Sequence, residues 1–216
     1  MTLARRVALL AIGAAAYCTA YFPNPQFRQW VRGLAGNSMN AGPWVFLRHL
    51  LVQTTMVALA CALAWWLLAR RGWLPPMRES LHVREPRRIL AWAAIASVAI
   101  IAFTIGAIVA IGGSFAPHVP RGWDVLGNVF SNFYEELIFS GFLFVVLREV
   151  SGRDAVAVVG VALIFGAVHT QYPIELRASI VISALMMGVA RVKTGTIWTV
   201  WLVHMVSDII LDALFF

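Results

Sequence analysis

Long apolar runs separated by short polar or proline-bearing segments set the pattern of this chain, and runs of that length predict helices rather than strands. Seven candidate spans follow: Val7–Phe22, Leu50–Ala69, Ile89–Ile111, Val125–Leu147, Ala155–His169, Ile174–Ala190 and Thr196–Phe216. Crossing a bilayer as a helix takes about 20 residues. Pro23, Pro25, Pro75, Pro76, Pro117, Pro120 and Pro173 all fall between the spans, where a missing backbone donor costs little. Short, sharp loops join the three spans nearest the C-terminus, and no internal repeat, low-complexity tail or soluble domain interrupts the pattern. The expectation is an all-α, polytopic transmembrane helical bundle of about seven spans, built as one integral membrane domain over residues 1–216.

Composition sharpens this picture. The 216 residues are 61% hydrophobic and 12% charged, with a mean hydropathy of +0.80. A soluble domain would be about half apolar and a quarter charged, so lipid is the solvent here. The net charge of +7 has two readings, nucleic-acid binding or an arginine bias in cytoplasmic loops. No basic run interleaved with aromatics lies on a polar segment, which favours the loops and no nucleic-acid partner. Cys18 and Cys61 sit within apolar runs and lack metal-ligand spacing.

Arg5 and Arg6 before the first apolar stretch resemble the start of a signal peptide. No small-x-small site followed by a polar mature start supports cleavage, and a retained helix is expected. Arginine and lysine also orient the chain. With the Arg70–Arg88 loop cytoplasmic, the inside segments hold twelve of the 17 basic residues and the outside segments five: Arg28, Arg32, Arg48, Arg121 and Arg177. That asymmetry places the N-terminus in the cytoplasm and the C-terminus outside, in the cell inner membrane.

Ionisable side chains within a bilayer are expensive and are functional candidates by default. Glu135 and Glu136 interrupt the fourth span, His169 closes the fifth, and His204 and Asp208 lie one turn apart on one face of the seventh. Measured from the cytoplasmic end of each span, Glu135 and Asp208 lie roughly 19 Å deep, His169 roughly 22 Å and His204 roughly 13 Å, at about 1.5 Å per residue. Three helices thus deliver polar groups to one slab of the membrane. Each group has a plainer reading: His169 as an interfacial residue, His204 with Asp208 as a helix-stabilising pair. Adjacent carboxylates inside a long apolar helix are the hardest to read that way. His49, His82 and His118 lie in loops or at span edges and are taken as solvated.

Together these elements resemble the CPBP family of intramembrane proteases, within the Abi superfamily, which includes the CaaX prenyl endopeptidases. Its pattern is Glu-Glu-x-x-x-Arg, then Phe-x-x-x-His, then His-x-x-x-Asn or Asp. The counterparts are Glu135-Glu136, Phe165 with His169, and His204 with Asp208, in a motif-bearing core of about residues 125–212. One position departs: Ser140 stands where the family carries arginine. Arg148 cannot substitute, lying roughly 18 Å along the helix axis from Glu136.

The resemblance implies an endopeptidase that cleaves a membrane-associated protein or peptide tail through a glutamate-activated water. Glu135 would be the general base and His169 would help position the water. Glu136 would be a structural or proton-sharing partner, since two adjacent carboxylates in low dielectric do not both ionise readily. His204 and Asp208 would polarise the scissile carbonyl. No cofactor is favoured. A zinc protease would use Glu135, His169 and His204 with one open position, although His-Glu-x-x-His is absent; a serine protease would use Ser140-Gly141. The non-enzymatic alternative is a binding, immunity or transport protein with buried carboxylates. Expected partners are the bilayer and a membrane-embedded or lipid-anchored protein, cut in its C-terminal tail.

Overall fold

Every element of the computed structural model is helical, and it describes residues 2–21, 43–170 and 172–215, with no strand among them. The elements are α1 (Leu3–Tyr21), α2 (Pro43–Arg70), a 3-10 turn (Met77–Glu79), α3 (Pro86–Ala110), α4 (Gly122–Glu136), α5 (Phe144–Ser151), α6 (Asp154–Val168), α7 (Ile174–Thr194) and α8 (Ile197–Phe215). Between α4 and α5 the chain stays helical but widens into a π-helix over Leu137–Leu143. Asp124–Ser151 is therefore one continuous 28-residue helix. The expectations for Pro23, Pro25, Arg28 and Arg32 lie outside the described residues, as do the side chains of Cys18, Arg48 and His49.

Local chemistry sets the helix ends. Pro86 opens α3 at the first turn, where its missing N–H is no loss. Asp124 and Asp154 sit in the first turns of α4 and α6 and complement their dipoles. Gly152 and Gly195 close α5 and α7 with φ of 73°, a left-handed cap that glycine adopts without strain. The carbonyls at the end of α8 are met by a loop: Ala116 N–H donates to Leu214 O at 2.8 Å and His118 N–H to Ala213 O at 2.9 Å.

Among the described residues three helices are long and apolar enough to cross a membrane: α3, the Asp124–Ser151 helix and α8. The other expected spans each coincide with a helix, but their number as crossings rests on the sequence. Leu90, Ile95 and Val98 on α3 and Val159 and Leu163 on α6 are exposed, as apolar surfaces facing lipid would be.

The core forms around the π-helix, all seven of whose residues are buried. Phe139 packs edge-on to Phe165, with centroids 4.8 Å apart, and Phe142 packs near Trp65. α6 and α7 approach closely because Gly166 faces α7: a Cβ there would lie 2.3 Å from Val181 Cγ2 and 3.2 Å from the Arg177 carbonyl.

Two expectations are corrected. The fourth span was expected to run as an ordinary α-helix, and it contains the π segment. Arg191 was counted as a loop cation beyond a span ending at Ala190. It belongs to α7, which runs on to Thr194, and is 3% exposed because hydrogen bonds hold it inside.

Candidate functional site

Helical spacing gathers polar residues from several helices onto one cavity of about 1070 Å³. On α4 the wall is Asp124, Asn128, Ser131, Asn132 and Glu135, whose spacing keeps them on one face of a 3.6-residue helix. From α8 it is His204, Ser207, Asp208, Leu211 and Asp212, again a single stripe. Ser179 and Ser183 on α7, Thr104 on α3, and Phe165, His169 and Tyr172 at and beyond the end of α6 also line it. Four of the five expected site residues, Glu135, His169, His204 and Asp208, thus face one space.

Glu136 lies behind that wall. It is 1% exposed, and its Oε1 lies 2.8 Å from His204 Nδ1. Its Oε2 accepts a hydrogen bond from Ser140 Oγ. The other His204 nitrogen, Nε2, lies 3.5 Å from Asp208 Oδ2, and Asn132 Nδ2 donates to the same oxygen at 3.0 Å. In the row Glu136–His204–Asp208, His204 thus stands between two carboxylates, in hydrogen-bond contact with Glu136 and within ion-pair distance of Asp208. The order along the row is fixed from both ends, by Ser140 and by Asn132.

His169 caps α6, with Nδ1 2.6 Å from the Phe165 carbonyl. A neutral ring bonded in this way keeps its lone pair on Nε2. Phe165 spaces the two histidines, its ring centroid 4.5 Å from His169 and 5.7 Å from His204. Tyr172, in the loop between α6 and α7, stacks near His169 with centroids 6.2 Å apart. Its phenol is held above the ordinary tyrosine value by partial burial first, then by the charges of Asp208 and Glu135. It therefore remains a hydrogen-bond donor at neutral pH.

Sequence reasoning did not assign roles to Asn132, Tyr172 or Ser207. Asn132 carried a signal, being an amide within an apolar span and one turn before Glu136. Tyr172 had none, because its place depends on how the α6–α7 turn folds back. His118, taken as solvated, sits at the cavity edge 4.0 Å from Asp212.

Glu135, His169 and His204 do not converge as a zinc set. Both His204 nitrogens face carboxylates, and among the described residues no group of three His, Cys, Asp or Glu side chains is placed to hold a metal ion. Nor is Ser140 arranged as a nucleophile. Its hydroxyl is buried against a carboxylate rather than a histidine.

The fold and this cavity define a helical membrane protein with a carboxylate–histidine site inside its bundle. Residues 120–210 match the family described as type II CAAX prenyl endopeptidase Rce1-like. The segment that carries the site is thus similar to the CPBP/CaaX protease-like family, and that likeness points to a protease. No curated protein and no solved structure matches the chain.

Proposed function

We propose that the chain is an intramembrane endopeptidase in which Glu135 activates a water against a peptide bond of a membrane-associated protein. The observation that carries this reading is that Glu135, His169, His204 and Asp208 line one cavity of about 1070 Å³. Ligand pockets are commonly about 300–1,000 Å³, so an extended peptide segment fits. Hydrolysis needs a base for the water, a donor for the leaving amine and stabilisation of the oxyanion. Glu135 is the base, and His169 offers its Nε2 lone pair to hold the water. The proton that Glu135 takes from the water is the one it returns to the departing amine. His204 donates to the developing oxyanion when substrate displaces Asp208 from Nε2, while Glu136 holds the opposite nitrogen. Asn132 and Tyr172 supply further hydrogen bonds, to Asp208 and into the cavity.

The substrate class we infer is a lipid-anchored or membrane-embedded protein cut in its C-terminal tail, in keeping with the matched family's description. The arginine asymmetry supports a cytoplasmic N-terminus in an inner membrane, with about seven crossings. The test is a co-expressed, isoprenylated CAAX-terminated reporter. Glu135→Gln should abolish its processing at unchanged protein level, whereas continued processing would remove Glu135 from the mechanism. A second reading, a non-catalytic proton- or ligand-handling protein, draws on the closure of the Glu136–His204–Asp208 row, a network that is complete without substrate. Under it the wild-type chain leaves the reporter intact while proton uptake still depends on His204.

A further inference from the structure

Arg191 is a buried cation that the acid–histidine row does not contain. None of the ion pairs among the described residues includes it, and burying an unpaired guanidinium is costly unless hydrogen bonds compensate. Its contacts provide that compensation. Arg191 Nε donates to the Ser140 carbonyl at 3.0 Å, and Nη2 donates to Ser80 Oγ at 2.9 Å. The guanidinium carbon also lies 5.1 Å from the centroid of the Phe144 ring, within cation–π range.

The π-helix explains why the Ser140 carbonyl is there to be met. In an α-helix the Phe144 N–H would donate to Ser140 O, four residues back. Here it donates to Phe139 O, five back, and to Gly141 O. Arg191 from α7 donates to the Ser140 carbonyl, which the Phe144 N–H does not use. π turns of this kind occur often at functional sites. The same Ser140 residue donates its hydroxyl to Glu136, whose other oxygen meets His204. Arg191 and Glu136 also border one small cavity.

We propose that Arg191 is a positioning residue for the acid–histidine cavity: it holds the Ser140 peptide in the π turn and thereby sets Glu136 against His204. The proposal rests on the hydrolytic reading of the cavity. A cation from a distant helix thus occupies the surroundings of position 140, where the family pattern has its own arginine. The remaining ionisable groups about this chain of contacts are Glu135 on α4, His169 after α6, His204 and Asp208 on α8, and Arg148 and Asp154 facing Arg191 from α5 and α6.

Arg191→Gln and Arg191→Lys in the full chain, purified into lipid nanodiscs, test the proposal with two readouts. One is cleavage of the CAAX-terminated reporter across pH, and the other is amide hydrogen exchange over residues 137–145. Arg191→Gln should lower kcat about tenfold or more, leave KM within about twofold, and move the acidic limb of the profile by about half a pH unit or more. Exchange over the π segment should rise about tenfold. Arg191→Lys, which keeps the charge but not the fork of donors, should recover part of kcat. Wild-type protection and an unmoved pH profile in both variants would overturn the proposal. So would a loss of rate with no change in profile or KM-to-kcat balance, since that is what a merely structural arginine would give. If Arg191→Gln does not fold, the lysine variant decides by the same two readouts. A wild-type chain that cleaves nothing, with exchange raised in Arg191→Gln, would overturn the hydrolytic reading and uphold the Arg191–Ser140 hold.

Discussion

Glu135 and Glu136 are neighbours in sequence with different surroundings, and substitution should separate their roles. Glutamine at 136 keeps the shape and one acceptor oxygen, which can still face His204 Nδ1, while its amide can donate to Ser140 Oγ. What it loses is the charge on a bond now 2.8 Å long. Hydrogen bonds to charged groups contribute about 1.5–3 kcal/mol. If all of that is felt in the transition state, kcat falls about ten- to 150-fold, at about 1.4 kcal/mol per factor of ten. Glu136→Ala goes further, leaving Ser140 Oγ and His204 Nδ1 without that partner in a buried site. Each unsatisfied group costs about 1–3 kcal/mol, so this variant should also lose thermal stability. Glu135→Gln removes the base itself, worth about 10²- to 10⁴-fold. The assay is single-turnover cleavage of the CAAX-terminated reporter in vesicles, with melting followed on the same preparations. A Glu135→Gln enzyme near wild-type rate beside a dead Glu136→Gln enzyme would reverse the two roles and refute the reasoning.

Asn132→Ala should release Asp208 from its 3.0 Å donor and slow turnover up to about tenfold, the value of one neutral hydrogen bond; an unchanged kcat would show that Asp208 needs no such anchor. Chelation by EDTA or phenanthroline should leave cleavage unaffected, because His204 offers no nitrogen clear of a carboxylate; loss of activity restored by zinc would contradict this. In a cysteine-free background, single cysteines at Arg78 and after Phe216 should label from opposite sides of the membrane. Labelling from one side would remove the odd number of crossings.

How far the sequence could be read depended on whether a feature follows from spacing along one helix. The polar face of α4, from Asp124 through Asn128 and Ser131 to Glu135, repeats with the helical period. Of that face only Glu135 was singled out along the sequence, as an ionisable group within an apolar run. The His204–Asp208 pair was legible for the same reason, one turn apart on α8. Depth along each span brought Glu135, His169 and Asp208 to one level, and they do share a cavity. The division of labour between Glu135 and Glu136 came only from the family resemblance, because which of two neighbouring side chains meets α8 does not follow from spacing along one helix. The π segment was hidden because its residues are buried all round, so no amphipathic stripe exists whose slip would reveal the extra residue per turn. Arg191 was misread because a cation at the end of an apolar run ordinarily marks a membrane surface, and only the Ser140 and Ser80 partners turn it inward.

Two features that looked unrelated along the chain therefore meet at one peptide. Ser140 read as a departure from a family motif, and Arg191 as part of a cytoplasmic arginine excess. In the fold the side chain of Ser140 serves Glu136 and its carbonyl serves Arg191. Position 140 is 6% exposed, and in a close-packed interior each enlargement of a side chain costs about 1–3 kcal/mol or more. An arginine there would have to displace its neighbours, and it would bring a second guanidinium to a carbonyl already occupied by the first. Like charges at short range in low dielectric repel strongly. A small hydroxyl-bearing residue at 140 and a cation reaching in from α7 are thus mutually compatible, and a large cation at both positions is not. Serine at this point of the π segment accords with where the guanidinium sits, so it is no sign that the carboxylates beside it have been left without support.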